Sequence, residues 1–284
     1  MSGRRPVLVT GASSGIGRAT ALELSHAGYQ VFAGVRKVGD GKAVQDEARG
    51  ELEPVILDVT DESSIASAAE AIEGESRGAG LVALINNAGV AYAGPLEFVP
   101  LDDVRRQLEV NLIGQLAVTR ALLPSLRAGR GRIVNVTSIG GVVATPFYGP
   151  YCASKFALEA VSDCLRTELR PWGIKTITIE PGSIDTGIWE SGQRIAEEVR
   201  ERMDPEGERL YGDAIDRVGE ISAETGARGI PPEEVARTIH KAIEARRPRA
   251  RYLVGRDAIG MKAASRLLPD RLFDAIVARS LKLP

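Results

Sequence analysis

Cysteine, histidine, tryptophan and methionine are scarce in this chain of 284 residues, at two, two, two and three copies. Each shortage excludes something. The two cysteines, Cys152 and Cys164, fall in one helical pattern, which would hold them about 18 Å apart along its axis. A disulfide needs α-carbons within roughly 7 Å, so no internal bridge is expected and a reducing, cytoplasmic setting fits. His26 and His240 stand alone, without metal-ligand spacing, so no metal site is expected. No run of about 18 apolar residues is present, and no membrane-spanning helix is expected. The formal net charge is only -2, which gives no general pull toward nucleic acid. The start, "MSGRRPVLVTGASSGIG", lacks a long apolar stretch ending in a cleavage site and reads as a first strand rather than a signal peptide.

What is present is ordinary globular material, 44% hydrophobic and 26% charged. Short apolar runs alternate with longer helical patterns. The strand candidates are 7–10, 31–35, 55–58, 82–86, 133–137, 176–180 and 252–254. They are apolar throughout, as strands covered on both faces are. Helical patterns cover 16–27, 63–73, 102–127, 151–170 and 232–246. This alternation implies right-handed βαβ units and a doubly wound parallel sheet in a single α/β domain over residues 1–284. Residues 188–229 break the rhythm with a charged, glycine-containing insertion at the carboxyl edge of the sheet. A substrate lid and a solvated excursion are both open readings, and the position favours the lid. The tail, 257–284, is amphipathic. Its apolar face packs on the domain, on a second subunit or, less in keeping with the pattern, on a membrane surface.

"TGASSGIG" at Thr10–Gly17 follows the first strand and opens the first helix. Gly11, Gly15 and Gly17 leave room for a ligand against the backbone, and the helix N-terminus offers free N–H groups to a pyrophosphate. The alternative is a glycine turn needed only for tight packing. The second strand ends on Val35, Arg36 and Lys37 instead of the acidic residue usual at an NAD ribose. Two cations suit a 2′-phosphate, with Ser14 adding a hydroxyl nearby. NADP(H) is therefore favoured over NAD(H), which stays open; the bland reading is two solvated charges. Asp58 either accepts the adenine amino group or caps the next helix. "NNAG" at Asn86–Gly89 allows close packing against a ribose.

"YCASK" sets Tyr151 four residues before Lys155, one helical turn apart on one face. An ammonium there either makes an ordinary surface pair or lowers the phenol's pKa for proton transfer. Tyr148 stands seven residues before Lys155, with Gly149–Pro150 expected to interrupt any helix between them.

Taken together, "TGASSGIG", "NNAG", Asn111 in "EVNLIG", Ser138 in "VNVTS", Tyr151 and Lys155 in "YCASK", and "PGSIDT" at Pro181–Thr186 resemble the short-chain dehydrogenase/reductase family. The match runs in order from about Val7 to Thr186. The resemblance implies a Rossmann-type fold with a seven-stranded parallel sheet, and hydride transfer between a nicotinamide and a carbonyl or alcohol. It implies Tyr151 as general acid/base, Ser138 on the substrate oxygen, Lys155 on the nicotinamide ribose and lowering the tyrosine pKa, and Asn111 holding a water in the proton relay. Expected cofactor contacts are Gly11, Ser13, Ser14, Gly15, Ile16, Gly17, Arg36, Lys37, Asp58 with its neighbour Val59, Asn87, Ala88 and Gly89. Tyr151, Lys155, Pro181, Gly182, Ile184 and Thr186 complete them at the nicotinamide. Family members commonly pair through helices equivalent to 102–127 and 151–170, so a homo-oligomer is expected.

The pocket candidates Val90, Ile139, Val142, Pro146, Phe147, Tyr148 and Trp189 are mostly apolar, and no arginine or lysine is expected to flank Ser138 or Tyr151 so as to grip a substrate carboxylate. A hydrophobic carbonyl or secondary alcohol is expected, with Phe147, Tyr148 and Trp189 beside Ser138 at the substrate. Long insertion and tail resemble members acting on steroids, retinoids and lipid-like alcohols. Intact Tyr151, Lys155 and Ser138 argue against an idle redox sensor. The missing larger C-terminal domain argues against a sugar-nucleotide epimerase.

Overall fold

The computed structural model describes residues 5–76 and 78–283. Residues 1–4, from the stretch read as leading into the first strand, Arg77, and Pro284 at the end of the tail lie outside the described residues. Seven strands are described: β1 (Pro6–Thr10), β2 (Gln30–Val35), β3 (Leu52–Ile56), β4 (Ala83–Asn86), β5 (Arg132–Val136), β6 (Lys175–Pro181) and β7 (Arg251–Val254). They form one parallel sheet in the order β3-β2-β1-β4-β5-β6-β7. The helices are α1 (Gly15–His26), α2 (Val38–Glu47), α3 (Glu62–Ser76), α4 (Leu101–Leu108), α5 (Gly114–Ala128) and α6 (Gly149–Glu168). After β6 come α7 (Ile188–Glu201), α8 (Pro205–Ala227) and α9 (Pro232–Glu244), and after β7 come α10 (Arg256–Leu267) and α11 (Asp270–Ser280).

Apolar residues on both faces of each central strand make two cores. One holds Val9, Ala33, Ile85 and Ile179 with α1 and α9; the other holds Leu8, Leu84 and Ile133 with α3 and α5. The strand order reverses between β1 and β4, which opens a crevice at their carboxyl ends, where ligands bind in such sheets. No described helix is long and apolar enough to cross a membrane, and no group of metal-ligating side chains occurs among the described residues. Both cysteines are free.

Four expectations need correction. The third strand is β3 at Leu52–Ile56, so Asp58 stands two residues past its end. A helix, α2, follows β2 where none was expected; its two glycines and open charge pattern hide it. The single helix expected over 102–127 is interrupted by a π-helical turn at Glu109–Ile113, a feature frequent at functional sites. Gly149–Pro150 does not interrupt a helix but begins α6. Proline fits the first turn because its missing N–H would have no partner there.

Candidate active site

The crevice is built on β1. Thr10 Oγ1 accepts hydrogen bonds from the Asn87 and Ala88 amides at 2.9 and 3.0 Å. Asn87 Nδ2 in turn donates to the carbonyls of Thr10 and Gly11 at 3.0 and 3.2 Å. "NNAG" thus clamps the glycine loop, a role its sequence did not announce. Gly11 adopts φ 64°, and a Cβ there would come 2.8 Å from the Ala88 Cα. Gly17 is packed so closely that a Cβ would fall 2.1 Å from the Gly11 carbonyl oxygen. Ser14 is the N-cap of α1, yet its hydroxyl makes no capping bond. Ser13 and Ser14 are exposed and Ile16 is half-buried beside them. Free helix N–H groups, an uncommitted hydroxyl and a side-chain-free surface fit a pyrophosphate.

Around this loop stand the other expected residues. Arg36 and Lys37 are exposed at the end of β2, and Val59 is buried. Asp58 Oδ1 accepts from the Thr60 amide and hydroxyl at 2.9 and 2.8 Å. These bonds, led by the amide, hold its carboxyl below the usual range, with Arg36 adding to the effect. The cap of α3 is Asp61, which accepts from the Ser63 amide at 2.8 Å, so Asp58 is spared that duty. Thr186 lies over the loop, where a Cβ on Gly15 would meet its methyl at 3.1 Å.

Next to the loop, three amides at four-residue spacing hold the strand extension after β4. Gln107 Nε2 donates to the Val90 carbonyl at 2.7 Å and Asn111 Nδ2 to the same oxygen at 2.9 Å. Gln115 Nε2 bonds the Ala88 carbonyl. Asn111 also accepts from the Val90 amide at 2.9 Å and donates to Ser154 Oγ at 3.1 Å. Gly89 faces it, 3.4 Å from Asn111 Oδ1 at the position of a Cβ. The sequence reading missed Gln107 and Gln115; their regular spacing with Asn111 was the available signal.

Ser138 stands two residues past the end of β5 and caps a short 3-10 turn, its Oγ accepting from the Gly140 amide at 3.0 Å. A Cβ on Gly140 would sit 3.2 Å from Tyr151 Cε1 and 3.4 Å from Ser138 Oγ. The serine hydroxyl and the tyrosine ring therefore share one small space. Lys155 Nζ lies 5.8 Å from the Tyr151 ring centroid and donates to the Val136 carbonyl at 2.9 Å. Burial pushes the Tyr151 phenol up to about 12, with a Ser138 hydrogen bond pulling the other way. The expected lowering by Lys155 is thus corrected: desolvation dominates. Burial pushes the Lys155 ammonium down to about 8, and Glu159 draws it back up.

"PGSIDT" closes the far side. The Gly182 amide donates to the Val254 carbonyl at 2.8 Å and the Ser183 amide to Asp257 Oδ2 at 2.7 Å. Pro181 and Ile184 are buried. Trp189 Nε1 donates to the Ile184 carbonyl at 2.7 Å, and the ring fills the space beside Gly226 of α8. Beyond it, α7 and α8 enclose a cavity of about 370 Å³ with Gly94, Pro95, Phe147 and Tyr148. Trp189 is not on that wall, contrary to expectation, because its indole N–H is spent on the loop. The wall is also more polar than expected, with Gln193, Glu197, Asp216 and Glu220 on it. Arg200, the one cation among the described lining residues, is bound to Glu208 and Asp216. Phe147 carries φ 68°, a strained setting for an aromatic residue, held by the Gly94 amide on its carbonyl at 2.7 Å. Tyr148 Oη lies 2.7 Å from Ser222 Oγ of α8.

A dinucleotide crevice ending on a serine, tyrosine and lysine defines the class. The short chain dehydrogenase family model matches residues 5–195, and the chain belongs to this family of NAD(P)(H)-using oxidoreductases. Among its relatives, the NADPH-dependent 3-dehydrocapnine reductase of Ornithobacterium rhinotracheale is 36% identical, over 98% of both chains. Human retinol dehydrogenase 5 is 37% identical over 98% of this chain and 89% of its own. A Burkholderia cenocepacia short chain dehydrogenase solved in complex with NADP superposes with a TM-score of 0.72. It is 29% identical over 99% of this chain and 98% of that one.

Proposed function

We propose that the protein is an NADP(H)-dependent reductase of hydrophobic ketones or aldehydes, with Tyr151 as general acid. The observation that carries this reading is the shared space of Ser138 and Tyr151 with Lys155 beside the tyrosine ring; the cavity lined by α7 and α8 reaches Phe147 and Tyr148, just before Tyr151 in the chain. Bound NADP(H) would supply the hydride. Ser138 Oγ and Tyr151 Oη hydrogen-bond the carbonyl oxygen, and Tyr151 passes its proton to that oxygen as charge builds there. A phenol held up near 12 keeps its proton at neutral pH, which suits donation and hence reduction. Lys155, charged at neutral pH, stabilises the phenolate left behind and binds the nicotinamide ribose. Asn111 holds a water that returns the proton. Gly11, Ser13, Ser14, Gly15, Ile16 and Gly17 bind the pyrophosphate; Asp58, Val59, Asn87, Ala88 and Gly89 bind the adenosine half; Pro181, Gly182, Ile184 and Thr186 bind the carboxamide end.

The names of two relatives pair this fold with an NADPH-dependent reduction and with retinol, which supports both cofactor and substrate class. Residues 188–229 act as the lid, hinged on the Trp189–Ile184 and Tyr148–Ser222 bonds. Exposed Ile113 and Phe156 on the α5 and α6 side support pairing of two chains there.

The test is fluorescence titration with NADPH and NADH, followed by turnover on a panel of hydrophobic ketones. Tighter NADPH binding and consumption of NADPH with apolar ketones are expected; preference for NADH and alcohols would overturn the cofactor and direction. Arg36→Ala should weaken NADPH about 10- to 100-fold, the worth of one charge-assisted contact. NADH should change less than about twofold, since it lacks the 2′-phosphate. Equal losses for both would remove Arg36 from the phosphate.

A further inference from the structure

Beneath Lys155 runs a line of charges that the reaction described above does not use. Lys262 of α10 bonds Glu180 of β6. Glu180 lies 3.2 Å from Arg251 Nε of β7, and the same nitrogen donates to Glu159 Oε2 of α6 at 3.0 Å. Arg251 Nη2 also grips both oxygens of Asp163 at 2.7 Å, which Arg166 shares. Glu159, Glu180, Lys262 and Lys155 are 7%, 0%, 7% and 6% exposed. Taking several charges out of water costs several kcal/mol each. Apolar side chains would hold these elements together as well or better. The line has an end, however. Glu159 follows Lys155 by one helical turn, and its Cγ lies against the 3-10 turn that Ser138 caps, 3.3 Å from the position of a Cβ on Gly141. α10 packs on that same turn.

We propose that Glu159 is a positioning residue for Lys155: fixed by Arg251, Glu180 and Lys262, its carboxylate keeps the lysine ammonium charged at the site's edge. This rests on Lys155 taking part in the reaction proposed above. The groups around Lys155 leave Glu159 as the near counter-charge. On α6 these are Tyr151, a neutral phenol, Glu159 and the more distant Asp163, which is occupied by two arginines. β5 presents the Val136 carbonyl, and the residues just past its end, Thr137 and Ser138, are neutral. β6 presents Glu180, bound to Lys262; β7 presents Arg251 and α10 presents Lys262, both cations. Burial alone pushes Lys155 down, and Glu159 opposes it. Burial, with Glu180, pushes the Glu159 carboxyl up, while Thr137 and Arg251 pull it back. α10 thereby reaches Lys155 through three intervening side chains, Glu180, Arg251 and Glu159.

The sign is fixed. Lys155 acts charged, so turnover falls as pH rises through its pKa. Removing the Glu159 charge lowers that pKa and brings the fall to lower pH. The experiment is a pair of titrations on the full chain. Nuclear magnetic resonance of 13Cε-lysine protein, with Lys155→Arg for assignment, reads the ammonium directly, without cofactor. The alkaline limb of kcat with NADPH and a ketone reads it in turnover. In Glu159→Gln both should move down by about one pH unit, and Glu159→Asp should restore most of the shift. Because the single variant leaves Arg251 half-paired, Glu159→Gln/Arg251→Met removes the pair together and should shift both readings the same way. A Lys155 midpoint that stays put in either folded variant overturns the proposal, as does a loss of kcat equal at every pH. A midpoint that moves while the kcat limb stays fixed upholds the coupling and removes Lys155 from the proposed reaction.

Discussion

Tyr151→Phe should bind NADPH within about twofold of the parent and lose turnover by about a thousandfold. General acid–base groups typically contribute between about 10² and 10⁴. The substitution removes one oxygen and leaves the ring, so the packing against Gly140 and the stack under Lys155 survive. Ser138 Oγ keeps its bond from the Gly140 amide, so one hydrogen bond is lost, a change of about 1 kcal/mol in stability. That is too small to unfold a protein of this size. The lost turnover therefore reports chemistry. Stopped-flow turnover with NADPH and a ketone, beside a binding titration, separates the two quantities. Turnover within about tenfold of the parent would sink the acid assignment, because water delivered by Ser138 alone would then suffice. Loss of binding and turnover together would instead mean that the hydroxyl shapes the cofactor crevice.

Legibility followed the range of the interactions. The parallel strands were visible because burial on both faces makes them continuous apolar runs, as in β1, where all five residues are buried. The order of the motifs along the chain assigned the glycine loop, Ser138, Tyr151 and Lys155 to one site; the last three share one space in the structure. α2 was hidden because Gly39 and Gly41 lower helix propensity, and only tertiary contact between Gly41 and Pro54 shows why a glycine is needed. Helical spacing brought Tyr151 near Lys155 but carried no information on desolvation, which decides the sign of the tyrosine's shift. Trp189 looked like a pocket wall because it is large and apolar. Its N–H needed a partner, and the nearest was the Ile184 carbonyl. The tail's amphipathic pattern left open what its apolar face meets: Val277 and Leu281 are buried with Val218 of α8, while Leu267, Leu272 and Ile276 stay exposed. That α10 supplies Asp257 to the Ser183 amide and Lys262 to Glu180 depends on contacts more than 70 residues apart in sequence, which local pattern does not encode.

The same chemical change at two glycines should have opposite effects. Gly17→Ala introduces a methyl 2.1 Å from the Gly11 carbonyl oxygen and 2.4 Å from Asn87 Nδ2. Neither neighbour can retreat. The Gly11 oxygen belongs to a turn at φ 64°, and the Asn87 amide is held on the Thr10 and Gly11 carbonyls. Alanine is a better helix former than glycine by about 1 kcal/mol, but overpacking of this kind costs about 1–3 kcal/mol or more, and at 2.1 Å the clash wins. The loop must move off the start of α1, and the amides proposed to bind the pyrophosphate lose their geometry. NADPH affinity should fall by about a hundredfold, the equivalent of two charge-assisted hydrogen bonds. The melting temperature should fall by about 4–8 °C, as a net loss near 2 kcal/mol implies for a chain of this size. Gly74→Ala, exposed in α3 with nothing within 4 Å of the new methyl, meets only the helix preference. It should raise the melting temperature by about 2 °C or more and leave NADPH binding alone. If Gly17→Ala melts lower yet binds NADPH like the parent, the loop is a packing device and the pyrophosphate lies elsewhere. If it loses the cofactor while Gly74→Ala keeps it, the closeness of Gly17 to Gly11 is what opens the crevice to a phosphate.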